Sequence, residues 1–423
     1  MKQFFKKHIG LIILLIAILA FPSSLSTQAR LNMRAVVTGL AIDKVDGKYE
    51  ITAQIVKTSP STESGGEKAT VNFVSDTSET LLGAISKLSY KTGKSSGFSH
   101  TNFIIIGKEM LEDDLTSALD YFMRDNIIND SLLVILAEEK ASDEIQKTKD
   151  IELSIAIGLQ KVFLYKEKEG DGVMVTLLEF MEDAKSMSKT SVASTMTLKT
   201  NEEKSEDNPL GSSQSGSSSS SDENSSSSSG TSSSNSGGEQ GGGSKYEYFE
   251  SQTAIGCFVG GKYVGKLEKD ETLGYMLANK NSTIDDVIVQ NIDDEELKDS
   301  MVGIKLKKKT NKKRVRYENE IPCLDLVVKI RSASITEIQN DKLVGIPTNE
   351  QFEKIKLGLK DEISKDVSKC FEKAKSLKAD IFEAYELAYK YHYNKTTKYY
   401  KSMEEFISKL KINVEVEIDK LEY

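Results

Sequence analysis

Residues 210–244 are Ser or Gly at 26 of 35 positions, and no packed element can be built through such a stretch. It has almost no apolar surface to set against the entropy of ordering a chain. It therefore reads as a flexible coil with a root-mean-square span of roughly 30 to 35 Å. The coil divides the chain into two folding segments and leaves them free to lie side by side or apart.

The amino terminus imposes a second division. Lys2, Lys6 and Lys7 precede an uncharged apolar run, Ile9 to Phe21, that ends at Pro22. A basic start followed by a short apolar segment is the pattern of an export signal, which leaves the bulk of the chain outside the cytoplasmic membrane. The run is shorter than the roughly 20 residues of a comfortable span. Two readings stay open: a retained membrane anchor, or cleavage after Ala29 with Thr27 three positions back. A lipid anchor at this end is excluded, because the first cysteine is Cys257.

What remains is long enough for two or three domains. The expected division is 1–29 signal or anchor, 30–202 first folded domain, 203–245 linker and 246–423 second folded domain. A further split of the last is expected near 320–347. A net charge of −9 speaks against nucleic-acid binding. Cys257, Cys323 and Cys370 are odd in number and widely spaced. They form no CxxC or Cys/His cluster and are expected as buried small apolar residues.

In the first segment, β-rich runs at Val36–Ile42 and Tyr49–Val56 flank Asp46-Gly47, a strong hairpin signal. Leu81, Leu82, Ile85 and Leu88 mark a helix. Phe103–Ile106 reads as a buried strand, Leu111–Phe122 as a helix, Leu132–Ala137 as another buried strand and Ala141–Lys147 as a helix. The second segment opens with a hairpin around Gly260-Gly261. An alternating strand spans Leu324–Ile330, and Thr348 with Gln351 makes a capping box for a long helix through Ala374. Asp380 with Glu383 suggests another cap, and Ile412–Ile418 alternates as a final strand. The expected class is α+β, with two to three mixed-sheet domains whose sheets are flanked by helices.

Candidate chemistry is sparse. Gly260-Gly261-Lys262-Tyr263-Val264-Gly265-Lys266 has phosphate-loop spacing, but Leu267 stands where a Ser or Thr should ligate magnesium, and no helix follows the glycines. A hairpin turn explains it better. Asp43, Asp46, Gly47 and Glu50 suggest a calcium loop, yet Val45 occupies a ligand position and a hairpin tip accounts for the same residues. His100 precedes a buried strand without a nucleophile or second ligand at a useful spacing, so a structural role is expected. Lys305, Lys307, Lys308, Lys309, Lys312, Lys313, Arg314 and Arg316 form the densest charge run. It is expected as a solvated loop between strands, with a membrane-facing role as the alternative. No catalytic, cofactor-binding or metal-binding residue is assigned.

Several stretches resemble one family in the same order. Thr38-Gly39-Leu40-Ala41-Ile42-Asp43 with Asp46-Gly47-Lys48-Tyr49, and Phe98-Ser99-His100-Thr101-Asn102-Phe103-Ile104-Ile105-Ile106-Gly107, resemble the N-terminal domain of the Ger(x)C proteins, the C subunits of spore germinant receptors. Cys257-Phe258 through Lys262, Val264-Gly265-Lys266-Leu267, Glu271-Thr272 and Ala379-Asp380-Ile381-Phe382 are similar to its C-terminal part. The resemblance implies a non-enzymatic subunit without cofactors on the outer face of the inner spore membrane. Its implied partners are a polytopic A subunit and a multi-spanning B subunit. A solute-binding or adhesive envelope protein is the alternative from another class. The chain departs from the family at three places. Ser23-Ser24-Leu25-Ser26 stands where a lipobox cysteine is usual, the Ser/Gly tract is extra, and Glu383-Ala384 stands where a glycine is more usual.

Overall fold

Two hairpins whose turns the sequence signals most strongly start the two halves of the fold. In the computed structural model, residues 34–60, 67–124, 129, 131–147, 155–199, 250–252, 254–339 and 346–423 are described. The expected export segment, residues 1–29, and the expected linker, residues 203–245, lie outside the described residues. Strands β1 (Arg34–Val45) and β2 (Lys48–Pro60) turn at Asp46 and Gly47, whose φ values of 50° and 77° suit a tight turn between right-twisted strands. β3 (Glu67–Ser78) adds antiparallel to β2, and α1 (Leu81–Thr92) follows, capped by Thr80 and ended by Gly93 in the left-handed region.

The next strands pair in parallel, with crossover helices between them. These are β4 (Ser95–Gly97), β5 (Phe103–Ile106), β6 (Leu133–Ala137) and β7 (Thr190–Lys199), with β4 and β5 both beside β1. Every residue of β5 and β6 is buried, as expected for parallel strands covered on both faces. The crossovers hold α2 (Leu115–Arg124), α3 (Ala141–Lys147), α4 (Ile155–Glu169) and α5 (Leu177–Lys185). Gly39 is required by packing, since a Cβ there would lie 2.2 Å from the Phe103 ring.

Beyond the Ser/Gly tract of the sequence come β8 (Glu250–Gln252), β9 (Ile255–Val259) and β10 (Lys262–Leu267). β9 pairs antiparallel with β7 over Thr190–Ser194, and β10 with β9, so the first sheet reads β10-β9-β7-β6-β5-β1-β2-β3. The described residues up to Thr197 and from Gln252 onward form one compact unit.

The second sheet begins after α6 (Lys269–Asn279) with β11 (Ile284–Val289), β12 (Met301–Glu318) and β13 (Ile321–Gln339). Helices α7 (Asn349–Ser376), α8 (Ala384–Tyr399) and α9 (Met403–Lys409) precede β14 (Lys411–Ile418) and the short β15 (Leu421–Glu422). The order is β11-β12-β13-β14, with β14 and the short β15 both parallel to β13 and the β11–β12 and β12–β13 pairs antiparallel. The Thr348–Gln351 capping box forms as its spacing predicts. α6 and α7 approach so closely at Gly274 that a Cβ there would meet the Asp366 carbonyl oxygen at 2.2 Å. The fold is α+β with two mixed sheets.

The basic run is the main correction to the sequence reading. It is a strand, the body of β12, rather than a loop. Most of its charges have partners on adjoining elements: Lys305 meets Asp285 at 2.8 Å, Lys313 meets Glu383 at 3.6 Å and Arg316 meets Asp325 at 2.7 Å. Lys309 is turned inward. Register irregularities on both sides of Lys308 break the twofold alternation and rotate Lys309 into the interior, where it is 3% exposed.

Candidate functional site at the Asp380 turn

The stretch Ala379-Asp380-Ile381-Phe382 links α7 to α8 and is almost wholly buried. Asp380, 3% exposed, does the work of a cap from three residues before the helix edge. Its carboxylate accepts from the backbone amides of Ala384 and Tyr385, each at 2.8 Å, and from the Ser188 hydroxyl at 2.6 Å. Its own amide donates to Thr190 Oγ1 at 3.1 Å, and that hydroxyl donates to the Ser188 carbonyl at 2.8 Å. Burial pushes the Asp380 carboxyl up to about 6, against the Ser188 bond, the Tyr385 and Ala384 amides and the Lys313 charge, which pull it down. The expected second cap is thus present, with its partners rearranged. Asp380 holds the helix start, while Glu383 is the N-cap residue, makes no side-chain cap bond and sits in the left-handed region at φ 59°.

A cleft of about 370 Å³ opens beside this turn, lined by Glu182, Asp183, Ser188, Tyr275, Glu383 and Glu386 among others. Behind it, Lys313 donates to Asn279 Oδ1 at 2.6 Å, and Lys309 Nζ donates to the carbonyls of Met276 at 3.0 Å and Leu277 at 2.9 Å and to that of Lys280. A cation among the last carbonyls of α6 complements the negative end of the helix dipole. Burial lowers the Lys309 ammonium to about 7. A second cleft, of about 590 Å³, is lined by charged residues of α4, α6, β11 and α7. Its Lys369 bonds Asp270 and its Lys365 meets Glu362 at 2.8 Å, while Asp366, 7% exposed, is pushed to about 7 by burial and then by the Glu362 charge.

The other residues singled out in the sequence fall into structural places. Asp43, 3% exposed, accepts from the amides of Ala141 at 2.7 Å and Ser142 at 2.8 Å, and so caps α3 from a strand almost a hundred residues earlier. Burial keeps its carboxyl above the usual range. Asp46 and Gly47 form the hairpin turn, and Glu50 meets Lys140 at 3.7 Å, so the suspected calcium ligands do not converge. Among the described residues no group of three or more His, Cys, Asp and Glu side chains could hold a metal ion. His100 is exposed in the turn before β5, and Thr101 next to it donates to the Val37 carbonyl at 3.2 Å. Gly260 and Gly261, at φ 57° and 79°, make the β9–β10 turn. As expected from the sequence, the glycines lie between two strands and no helix follows them directly; α6 begins only after β10, one strand later than a phosphate loop requires. The three cysteines are buried and free. No described helix is long and apolar enough to cross a membrane.

The resemblance noted in the sequence is matched by family comparison. Residues 27–198 match the spore germination protein N-terminal domain, and residues 253–420 match the spore germination B3/GerAC-like C-terminal domain. The crystal structure of the GerBC protein is similar at 14% identity with a TM-score of 0.49, over 90% of this chain and 96% of that one. No curated protein matches. Both domains of one family are present in order on either side of the Ser/Gly tract, and the chain belongs to the Ger(x)C family of spore germination proteins, the C subunits of germinant receptors.

Proposed function

We propose that this chain is a non-enzymatic subunit of a germinant receptor complex, assembling with a polytopic A subunit and a multi-spanning B subunit on the outer face of the inner spore membrane. Residues 1–29 hold it there in place of a lipobox cysteine, and residues 203–245 are a linker. The observation that carries this reading is the use made of the two buried carboxylates in the family stretches. Asp43 and Asp380 would be the natural acid or base candidates, yet each binds two backbone amides at a helix start. Both oxygens of each carboxylate are taken by such bonds, so the two groups act as helix-positioning anchors. The role of the chain is then to present surfaces to its partners.

A tag placed after Tyr423, detergent extraction of membranes from sporulating cells and identification of co-purifying proteins test it. Recovery of the A and B subunits is expected. A protein recovered free of both, outside the membrane fraction, would refute the assignment.

A further inference from the structure

Besides the basic run of β12, the second half of α8 and the turn after it form a positive surface on this acidic chain. From Leu387 to Met403 the chain holds Lys390, Lys395, Lys398 and Lys401 and no carboxylate. All four lysines are exposed, and among the described residues none of them makes an ion pair, whereas four of the eight β12 cations, Lys305, Lys307, Lys313 and Arg316, do. Three of them sit over aromatic rings instead: Lys390 over Tyr391 at 5.5 Å, Lys398 over Tyr399 at 5.2 Å and Lys395 over Tyr317 at 5.9 Å. Tyr391 and Tyr393 stand out from the surface at 67% and 52% exposure.

The strip is held rigidly from behind. His392, with non-helical φ and ψ of −134° and 35°, kinks α8 and places its ring Nε2 2.9 Å from the Val315 carbonyl. Tyr317 Oη and Thr396 Oγ1 lie 2.7 Å apart, and Thr396 also donates to the carbonyls of Ala388 and His392, each at 3.0 Å. The inner face of α8 is thereby fixed on β12, and the four lysines with Tyr391 and Tyr393 are left exposed.

We propose that this strip, Lys390 to Lys401, is a contact surface for an anionic lipid bilayer. Lysine is a compact, strongly hydrated cation on a long apolar stem, and tyrosine has an apolar body with a polar tip, so both are at home at headgroup depth. The strip has no arginine and exposes no large aliphatic anchor of the sort that fills a protein partner's pocket. With a net charge of −9 the chain as a whole is repelled by such a surface, so the attraction has to be local. The inference rests on the membrane-associated reading above and adds which face lies against the bilayer.

The three native cysteines are buried, so a thiol-reactive, polarity-sensitive dye on a Tyr391→Cys variant of the full chain reports this strip alone. Vesicles of phosphatidylcholine, with and without phosphatidylglycerol, are the probes. The amino-terminal segment attaches the chain to either kind, so attachment itself is not the readout. A blue shift confined to the vesicles with phosphatidylglycerol is expected, fading in high salt as the Debye length contracts from about 10 Å to about 3 Å. Neutralising each lysine should weaken the dye's half-saturation by about fivefold. The combined Lys390→Glu, Lys395→Glu, Lys398→Glu, Lys401→Glu variant, with far-UV circular dichroism unchanged, should abolish the shift. A dye on Tyr90→Cys in α1, 84% exposed, should stay unshifted. Equal shifts with both vesicle types, a shift surviving charge reversal, or one that requires an added receptor subunit in place of phosphatidylglycerol would each overturn the proposal. The readout needs no A or B subunit, so its failure and failure of the receptor assignment are separate results.

Discussion

Replacing Glu383 by glycine should make the protein more stable, although it removes a side chain and an ion pair. Glu383 occupies φ 59°, ψ 23°, a conformation that places Cβ close to the following carbonyl and costs an L-residue about 1 to 2 kcal/mol. Glycine pays no such penalty, but its greater freedom in the unfolded chain offsets about 0.5 to 1 kcal/mol of the gain. The Glu383 carboxylate lies 3.6 Å from Lys313, and its side chain is 66% exposed, so the pair contributes no more than a few tenths of a kcal/mol. The net expectation is a gain of about 0.5 kcal/mol for Glu383→Gly. Glu383→Ala is the reference, since it loses the same ion pair and keeps the Cβ; it should be no more stable than the parent. Urea unfolding followed by tyrosine fluorescence suits a chain with 16 Tyr and no Trp. A Glu383→Gly midpoint no higher than that of Glu383→Ala, at equal m-value, would refute the argument from backbone conformation. The same strain gives a physical reason why a glycine is usual at this place in the family pattern.

Asp380→Ala leaves two amides and the Ser188 hydroxyl without their acceptor, so a loss of about 3 kcal/mol or more in unfolding free energy is expected, against about 1 kcal/mol for Ser188→Ala. Gly274→Ala places a Cβ 2.2 Å from the Asp366 carbonyl oxygen and should lower the melting temperature, with a cost of about 1 to 3 kcal/mol, because both contacts are backbone within packed helices. Asp380 and Asp366 are raised to about 6 and about 7, so the folded state binds more protons than the unfolded one above pH 4. Their stabilising contribution is complete below the ordinary carboxylate range and is lost as pH rises through 6 to 7, and Asp366→Asn should flatten that fall in a pH series of urea midpoints. Lys309, lowered to about 7, acts in the opposite sense, so stability should climb from pH 7 toward 10 and Lys309→Met should remove the climb.

The parts of the fold legible in the sequence are those whose signal is local. Asp46-Gly47 and Gly260-Gly261 specify their turns by backbone conformation alone, and the Thr348–Gln351 pair announces its helix by a spacing of three. Phe103–Ile106 and the run to Ala137 are apolar throughout because both faces are covered. β12 was hidden for two reasons. Its lysines look like a solvated loop when their partners on β11, β13 and α8 are unknown, and its irregular register destroys the alternation that would have marked a strand. α6 was hidden by Gly274, a poor helix former in isolation that is needed for the approach of α7. The resemblance to the family pointed to Ala379–Phe382, but nothing in the sequence could show that Asp380 reaches Ser188, 192 positions away.

The pairing of β7 with β9 bears on how the covalent chain and the folded object relate. Ser194 faces Ile255 in that ladder, so the polypeptide leaves the sheet and returns to the neighbouring lane. Closing a long excursion costs only about 0.6 kcal/mol for each doubling of its length, so serine repeats can be gained or lost there with little thermodynamic consequence. A protease that severs residues 210–244 would yield two bands on a denaturing gel and one particle on a sizing column. New termini opened at that point, with the old ends joined, would give a circular permutant with every strand of both sheets still in place. Continuity between the halves is carried by hydrogen bonds across a shared sheet and by the Asp380–Ser188 contact, and the peptide linkage through the tract is dispensable to it.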